Sequence, residues 1–142
     1  MTLEVRLLDA TRAGPYLVPA DLRALLEAVR RSGLKLLRID LKDVRDKTGL
    51  LRAVASALAF PEWFGGNWDA LEECLTELCD TPRGYVLLLD HCTGLAEHAP
   101  HDFTMALEVF EDVAEFWAEQ DKGFWTLFGG IAKPVSGLRP LA

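Results

Sequence analysis

Apolar and polar positions along the first third of the chain predict two strands and a helix. Residues 3–7 alternate strictly, which indicates a half-exposed edge strand. Pro19 is well placed to open a helix, and a stripe of leucines and a valine continues from there to a stop at Gly33. Residues 34–41 contain enough apolar side chains to form a mostly buried strand.

The pattern continues with two helices and two further strands. Thr48 is a candidate N-cap for a helix that ends before Pro61, and a second helix covers about residues 68–79. Residues 85–89 and 124–128 are continuous apolar runs, which are typical of strands covered on both faces.

Between these two runs, residues 90–100 are predicted to form a loop, and Asp102 is predicted to cap a long amphipathic helix. Three apolar strands separated by helices favour the α/β class, with a small three-stranded parallel sheet packed with helices. This pattern predicts a single domain. It has an N-terminal strand-helix extension (residues 1–33), a core (34–128) and a tail (129–142) with little to fold with.

Composition narrows the range of partners. The chain has 22 acidic and 15 basic residues, a formal net charge of -7, which favours a basic partner over nucleic acid or an anionic membrane. The N-terminus lacks the features of a signal peptide, and three cysteines without a framework of spacings indicate a reduced chain. We therefore expect a cytoplasmic protein, monomeric when free and without a cofactor.

Acidic residues are concentrated around the predicted helix at 68–79. Residues 53–82 contain no lysine, arginine or histidine but include Glu62, Asp69, Glu72, Glu73, Glu77 and Asp80. On a helix, one face would carry the apolar side chains of Trp68, Leu71, Leu75 and Leu78. The opposite face would carry Asp69, Glu73, Thr76, Glu77 and Asp80, with Glu72 at its margin. Like charges at this spacing repel, so the face is not optimised for solvation alone.

The loop that enters this helix adds two aromatic residues. Trp63 and Phe64 flank a Gly65-Gly66 turn, and Asn67 is placed to cap the helix. Aromatic side chains beside a charged patch are enriched at binding hot spots, so we expect Trp63 at an interface and Phe64 in the core.

Other interpretations of the same residues remain open. A strongly acidic chain can contain an acidic helix by chance, and Asp69 and Glu73 could bind a metal or act as a glycosidase-type pair. A metal would need further clustered ligands, and a carboxylate pair would need an apolar pocket to raise one pKa. The loop containing His91, Cys92 and two further histidines could hold zinc, although its spacing is irregular.

Residues 60–76, Phe-Pro-Glu-Trp-Phe-Gly-Gly-Asn-Trp-Asp-Ala-Leu-Glu-Glu-Cys-Leu-Thr, closely resemble the barstar family of ribonuclease inhibitors. The order of elements over about residues 34–128 also fits. The resemblance implies a three-stranded parallel sheet with helices, and a helix and preceding loop that block a ribonuclease active site. Under it, Trp63 and Asp69 match residues that contact the enzyme.

Glu73 falls where the family's founding member has the aspartate that takes the place of substrate phosphate. Glu72 replaces an aromatic residue, and Asp112 matches a peripheral acidic residue on a later helix. The resemblance thus implies a non-enzymatic inhibitor of a basic, barnase-like ribonuclease. We assign partner binding to Trp63, Gly65, Asn67, Asp69, Glu72, Glu73, Thr76 and Glu77, and expect no metal site. The alternatives are an immunity or regulatory protein of the same fold that binds another basic partner, and an enzyme that uses the carboxylates or the histidine loop.

Overall fold

The structure, a computed structural model, describes residues 2–61, 65–78 and 80–141. Within these residues, helices and strands follow in the order α1 (Leu3–Leu7), a 3-10 helix (Ala10–Arg12), β1 (Pro15–Leu17), α2 (Leu22–Ser32), β2 (Lys35–Asp40), α3 (Lys47–Ala57), α4 (Trp68–Thr76), β3 (Gly84–Asp90), α5 (Thr93–His98), α6 (Pro100–Ala118) and β4 (Gly123–Phe128). None of these helices has the length and apolar character needed to cross a membrane.

One parallel sheet in the order β1-β4-β3-β2 forms the centre of the molecule. The inner strands β3 and β4 are buried along almost their whole length, as their continuous apolar sequences predict for strands covered on both faces. β2 lies at an edge, and of its residues only Ile39 is buried. The prediction of a mostly buried strand at residues 34–41 is therefore wrong for β2, because an edge strand has a neighbour on one side only.

The described part of the sheet has four strands, whereas the sequence pattern predicts three. The additional strand is β1, which runs parallel to β4 with Tyr16 opposite Leu127. A three-residue segment between prolines is too short to show a period-two pattern, and its partner strand lies near the other end of the chain. Sequence periodicity therefore gave no sign of this pairing.

Residues 3–7 form helix α1 and not the predicted edge strand. Thr2 caps the helix, since its hydroxyl accepts a hydrogen bond from the Val5 N–H at 3.2 Å. In a strand Leu3, Val5 and Leu7 would share a face, but here Leu7 is 1 % exposed and Val5 is 51 % exposed. Five residues are compatible with either period, and the packing of α1 against α2 selects the helix.

Two helices begin at aspartate N-caps and not at the residues that the sequence predicts. Asp21 caps α2, so this helix begins after Pro19 and not at it. Asp46 caps α3 in place of Thr48, because its carboxylate accepts a hydrogen bond from the Gly49 N–H at 2.9 Å. Several side chains able to cap lie within a few residues, and the backbone path decides which of them reaches the free N–H groups.

The predicted loop at 90–100 contains helix α5, and α6 begins at Pro100. Asp102 consequently lies in the first turn of α6 and does not cap it. α5 is a short helix that buries Leu95, and one buried side chain is too weak a signal to be seen as a helical period.

Helices cover both faces of the sheet. α1 and α2 pack on one face against Val86, Leu88, Trp125 and Leu127. Side chains of α3, α4, α5 and α6 pack on the other face against Leu87, Leu89, Phe124 and Phe128. This second, larger cluster supports the acidic helix described below.

The C-terminal tail packs closely against the sheet, contrary to the expectation that it has little to fold with. The Leu17 N–H donates to the Arg139 carbonyl at 2.8 Å, and the Leu141 N–H donates to the Leu17 carbonyl at 3.3 Å. Leu138 and Leu141 are buried. The tail therefore lies beside β1, although it forms neither a helix nor a regular strand of the sheet.

Candidate functional site: an acidic helix

Helix α4 begins at a glycine turn and a side-chain cap. Gly66 has a φ of 66°, the left-handed conformation that glycine adopts readily, and it directs the chain into the helix. The Asn67 side-chain oxygen then accepts a hydrogen bond from the Ala70 N–H at 2.7 Å, which confirms Asn67 as the N-cap. The helix ends at Thr76, earlier than predicted, and Cys79 lies outside the described residues.

The inner face of α4 is held firmly in the core. Leu71 and Leu75 are fully buried, and Trp68 and Leu78 pack against the same cluster, as predicted. The Trp117 indole N–H donates to the Leu75 carbonyl at 3.2 Å and so joins α4 to α6.

Cys74 is a buried residue on this helix. Burial raises the pKa of its thiol, and the negative charges of Glu77 and Glu73 raise it further. The thiol is therefore neutral at physiological pH and is not prepared to act as a nucleophile or metal ligand.

The outer face of α4 presents the carboxylates that we call the acidic strip: Asp69, Glu72, Glu73 and Glu77. Asp69, Glu73 and Glu77 are exposed, whereas Glu72 and Thr76 are half-buried. In the described ranges, no residue forms an ion pair with any of the four carboxylates. The pairs Asp69/Glu73 and Glu73/Glu77 are each unfavourable by about 0.2–0.5 kcal/mol, so the strip slightly destabilises its own helix.

Asp80 does not belong to the acidic strip, contrary to the prediction from helical spacing. It follows the end of α4, and its carboxylate forms an ion pair with Lys35 Nζ of β2 at 2.5 Å. The Lys35 ammonium lowers the pKa of Asp80 through this hydrogen bond. The segment 53–82 lacks basic residues, but the fold supplies one here from the neighbouring edge strand.

A second lysine approaches the N-terminal end of the helix. Lys47 Nζ of α3 lies 5.3 Å from the centre of the Trp68 ring, a cation–π distance. The exposed residues Gly65 and Asn67 adjoin this end of the helix. Trp63 and Phe64, assigned to an interface and to the core respectively, lie outside the described residues, as does Glu62.

In the segment around α5, His91, Cys92 and His98 are held by contacts within the fold. Cys92 is fully buried, its Sγ donates to the Leu89 carbonyl at 3.2 Å, and burial raises the pKa of its thiol to about 12. His91 Nδ1 lies 2.8 Å from Asp40, and His98 Nδ1 lies 2.8 Å from the Gly94 carbonyl. Among the residues that the structure describes, no three potential ligands come together.

Asp69 and Glu73 are both exposed, which argues against a glycosidase-type pair. Such a pair needs an environment that raises the pKa of one carboxyl, and an exposed helix face provides none. A row of unpaired carboxylates on a helix that is fixed to a rigid core is suited to contact with another macromolecule. The fold and this site together define a parallel α/β protein with an exposed acidic helix.

The model of the family described as Barstar (barnase inhibitor) matches residues 34–129, and the chain belongs to this family. The match extends from the residue before β2 to the residue after β4 and includes α4. Barstar is a family of inhibitors and not of enzymes. No curated protein matches the chain with significant sequence similarity.

Proposed function

We propose that this protein is a stoichiometric inhibitor of a cationic, extracellular-type ribonuclease. In this proposal α4 and the loop before it enter the active site of the enzyme and exclude RNA. The observation that carries the proposal is the acidic strip, whose four carboxylates have no ion-pair partner in the described part of the chain. Membership of the barnase inhibitor family supports a ribonuclease as the target.

Glu73 is the central residue of the proposed interface. It lies one helical turn from Asp69 and one turn from Glu77, so three exposed carboxylates follow one line along the helix. Arginine, lysine and histidine side chains that bind RNA phosphates in the enzyme can bind these carboxylates instead. Glu72 and Thr76 border the same surface.

The position of the strip is fixed before any partner binds. Leu71 and Leu75 anchor the inner face of α4, and the hydrogen bond from Trp117 holds its C-terminal half. A preorganised helix loses little conformational entropy on binding, so more of the electrostatic interaction appears as affinity.

An RNA-cleavage assay with a panel of purified small secreted ribonucleases tests this function. We expect one equivalent of the protein to abolish cleavage by at least one basic enzyme of the panel. Glu73→Gln should weaken inhibition at least tenfold, since hydrogen bonds to charged groups are worth about 1.5–3 kcal/mol. Glu119→Gln is the matched control, because it removes the same charge from an exposed residue outside α4.

Equal effects of the two substitutions would show that net charge, and not the acidic strip, determines inhibition. Failure to inhibit any enzyme of the panel, together with stoichiometric binding of a basic protein that does not cleave RNA, would contradict the ribonuclease assignment. That result would favour an immunity or regulatory protein with another target.

A further inference from the structure

A cavity of about 570 Å³ lies between the N-terminal segment, helix α6 and the C-terminal tail. Its charged and aromatic lining consists of Arg6, Arg12, Tyr16, Glu111, Trp125 and Arg139. The three arginines and Tyr16 all lie outside the segment that matches the family. The cavity is therefore built largely by the parts of this chain that are added to the inhibitor core.

Positive charge predominates in the cavity, in contrast to the net charge of -7 of the whole chain. Three arginines line it, and Glu111 is the only acidic residue among its lining residues in the described ranges. Arg12 forms an ion pair with Asp9 at 3.3 Å. Within the described residues, no carboxylate forms an ion pair with Arg6 or Arg139.

The arginines are attached to a fixed framework. Arg6 Nη1 donates to the Leu141 carbonyl at 2.8 Å, and Arg139 Cζ lies 5.4 Å from the centre of the Tyr16 ring. The Tyr16 hydroxyl donates to the Arg12 carbonyl at 2.5 Å. A guanidinium has five N–H donors, so Arg6 retains most of its donors for a ligand.

We propose that this cavity binds a small polyanion through phosphate or carboxylate groups. Arginine matches both groups with paired hydrogen bonds, and the volume lies within the usual range for small-molecule sites. The Tyr16 ring already contacts the Arg139 guanidinium and, at 5.6 Å between ring centres, the Trp125 ring. This arrangement favours a compact anion over a ligand that must stack a large aromatic ring.

The site is separate from the acidic strip, and the proposal does not depend on inhibition of a ribonuclease. Isothermal titration calorimetry of the full chain at low salt, with pyrophosphate and citrate as probes, tests it. We expect one molecule of at least one probe to bind per chain. Binding of pyrophosphate alone would assign anions that carry phosphate groups as ligands, and binding of citrate alone would assign polycarboxylates.

Substitutions that remove either a positive or a negative charge from the cavity lining test whether the anion binds there. Arg12→Gln and Arg139→Gln should each weaken binding about tenfold, the loss expected for charged hydrogen bonds. Glu111→Gln should strengthen binding, since it removes a repelling carboxylate. Arg31→Gln is the matched control, because Arg31 on α2 is similarly exposed and also pairs with a nearby acidic residue, but lies outside the cavity lining.

The control variant should bind as the unchanged protein does, and circular dichroism checks that each variant is folded. The proposal is overturned if neither probe binds. It is also overturned if Arg31→Gln weakens binding as much as the cavity substitutions, or if Glu111→Gln leaves binding unchanged, since the anion would then bind to surface charge in general.

Discussion

Among the described residues, Glu73 has no ion-pair partner. It also has two acidic neighbours, each one helical turn away. A side chain in this position contributes nothing evident to folding, and each like-charge pair destabilises the helix by about 0.2–0.5 kcal/mol. A stability cost without a structural benefit is typical of residues retained for binding.

Glu73→Ala should leave the free energy of unfolding unchanged or raise it by up to about 1 kcal/mol, because it removes two repulsions and adds a better helix former. Urea denaturation measures this change. Leu75→Ala is the contrasting substitution on the inner face of α4, where truncation of a fully buried leucine costs about 2–5 kcal/mol. A comparable loss in Glu73→Ala would assign Glu73 to folding.

At the scale of the element, the position of α4 depends on its N-cap, Asn67. Asn67 is exposed, and it was assigned to partner binding, but its side chain already accepts the hydrogen bond from the Ala70 N–H. The N-cap fixes where the helix starts and therefore the direction in which Asp69 projects. Its contribution to binding can thus be indirect, through the position of the helix.

Asn67→Ala should lower the free energy of unfolding by about 0.5–2 kcal/mol, the usual cost of losing a side-chain cap. Thermal or urea unfolding measures the loss. Asn67→Asp is the control, since aspartate caps equally well and adds a favourable negative charge at the N-terminus of the helix. If Asn67→Asp destabilised the protein as much as Asn67→Ala, the hydrogen bond to Ala70 would not be the cause.

The secondary-structure elements differ in how much of each can be predicted from sequence. β3 and β4 are recognisable from their apolar runs because they are covered on both faces, and the division of α4 into apolar and acidic faces follows from its helical period. α1 is not recognisable, since five residues fit either a strand or a helix. Its conformation depends on packing against α2.

At the scale of the whole molecule, charge is unevenly distributed. Residues 68–122, which include α4, α5 and α6, contain fourteen acidic and two basic residues, whereas residues 2–33 contain four acidic and five basic residues. Helices α4, α5 and α6, which make up most of one layer, therefore differ strongly in charge from α1 and α2 on the opposite face of the sheet. A basic partner approaching the acidic layer is attracted before contact.

The association rate with an inhibited ribonuclease should consequently fall at least about tenfold between low and physiological ionic strength, because salt screens long-range attraction. Stopped-flow fluorescence measures this rate. The dissociation rate should change much less, since the attraction acts chiefly on approach. An association rate that does not change with salt would contradict steering by the acidic layer.

Sequence alone determined the features that depend on neighbouring residues: the central strands, the two faces of α4, and the family motif that includes α4 and its Asn67 cap. Only the tertiary structure decided which distant segments meet. It pairs β1 with β4, joins Lys35 to Asp80, and brings Arg6 and Arg139 to one cavity. The physical reason is that helical and strand periods are local, whereas these contacts join segments far apart in the chain and form only when the whole core packs.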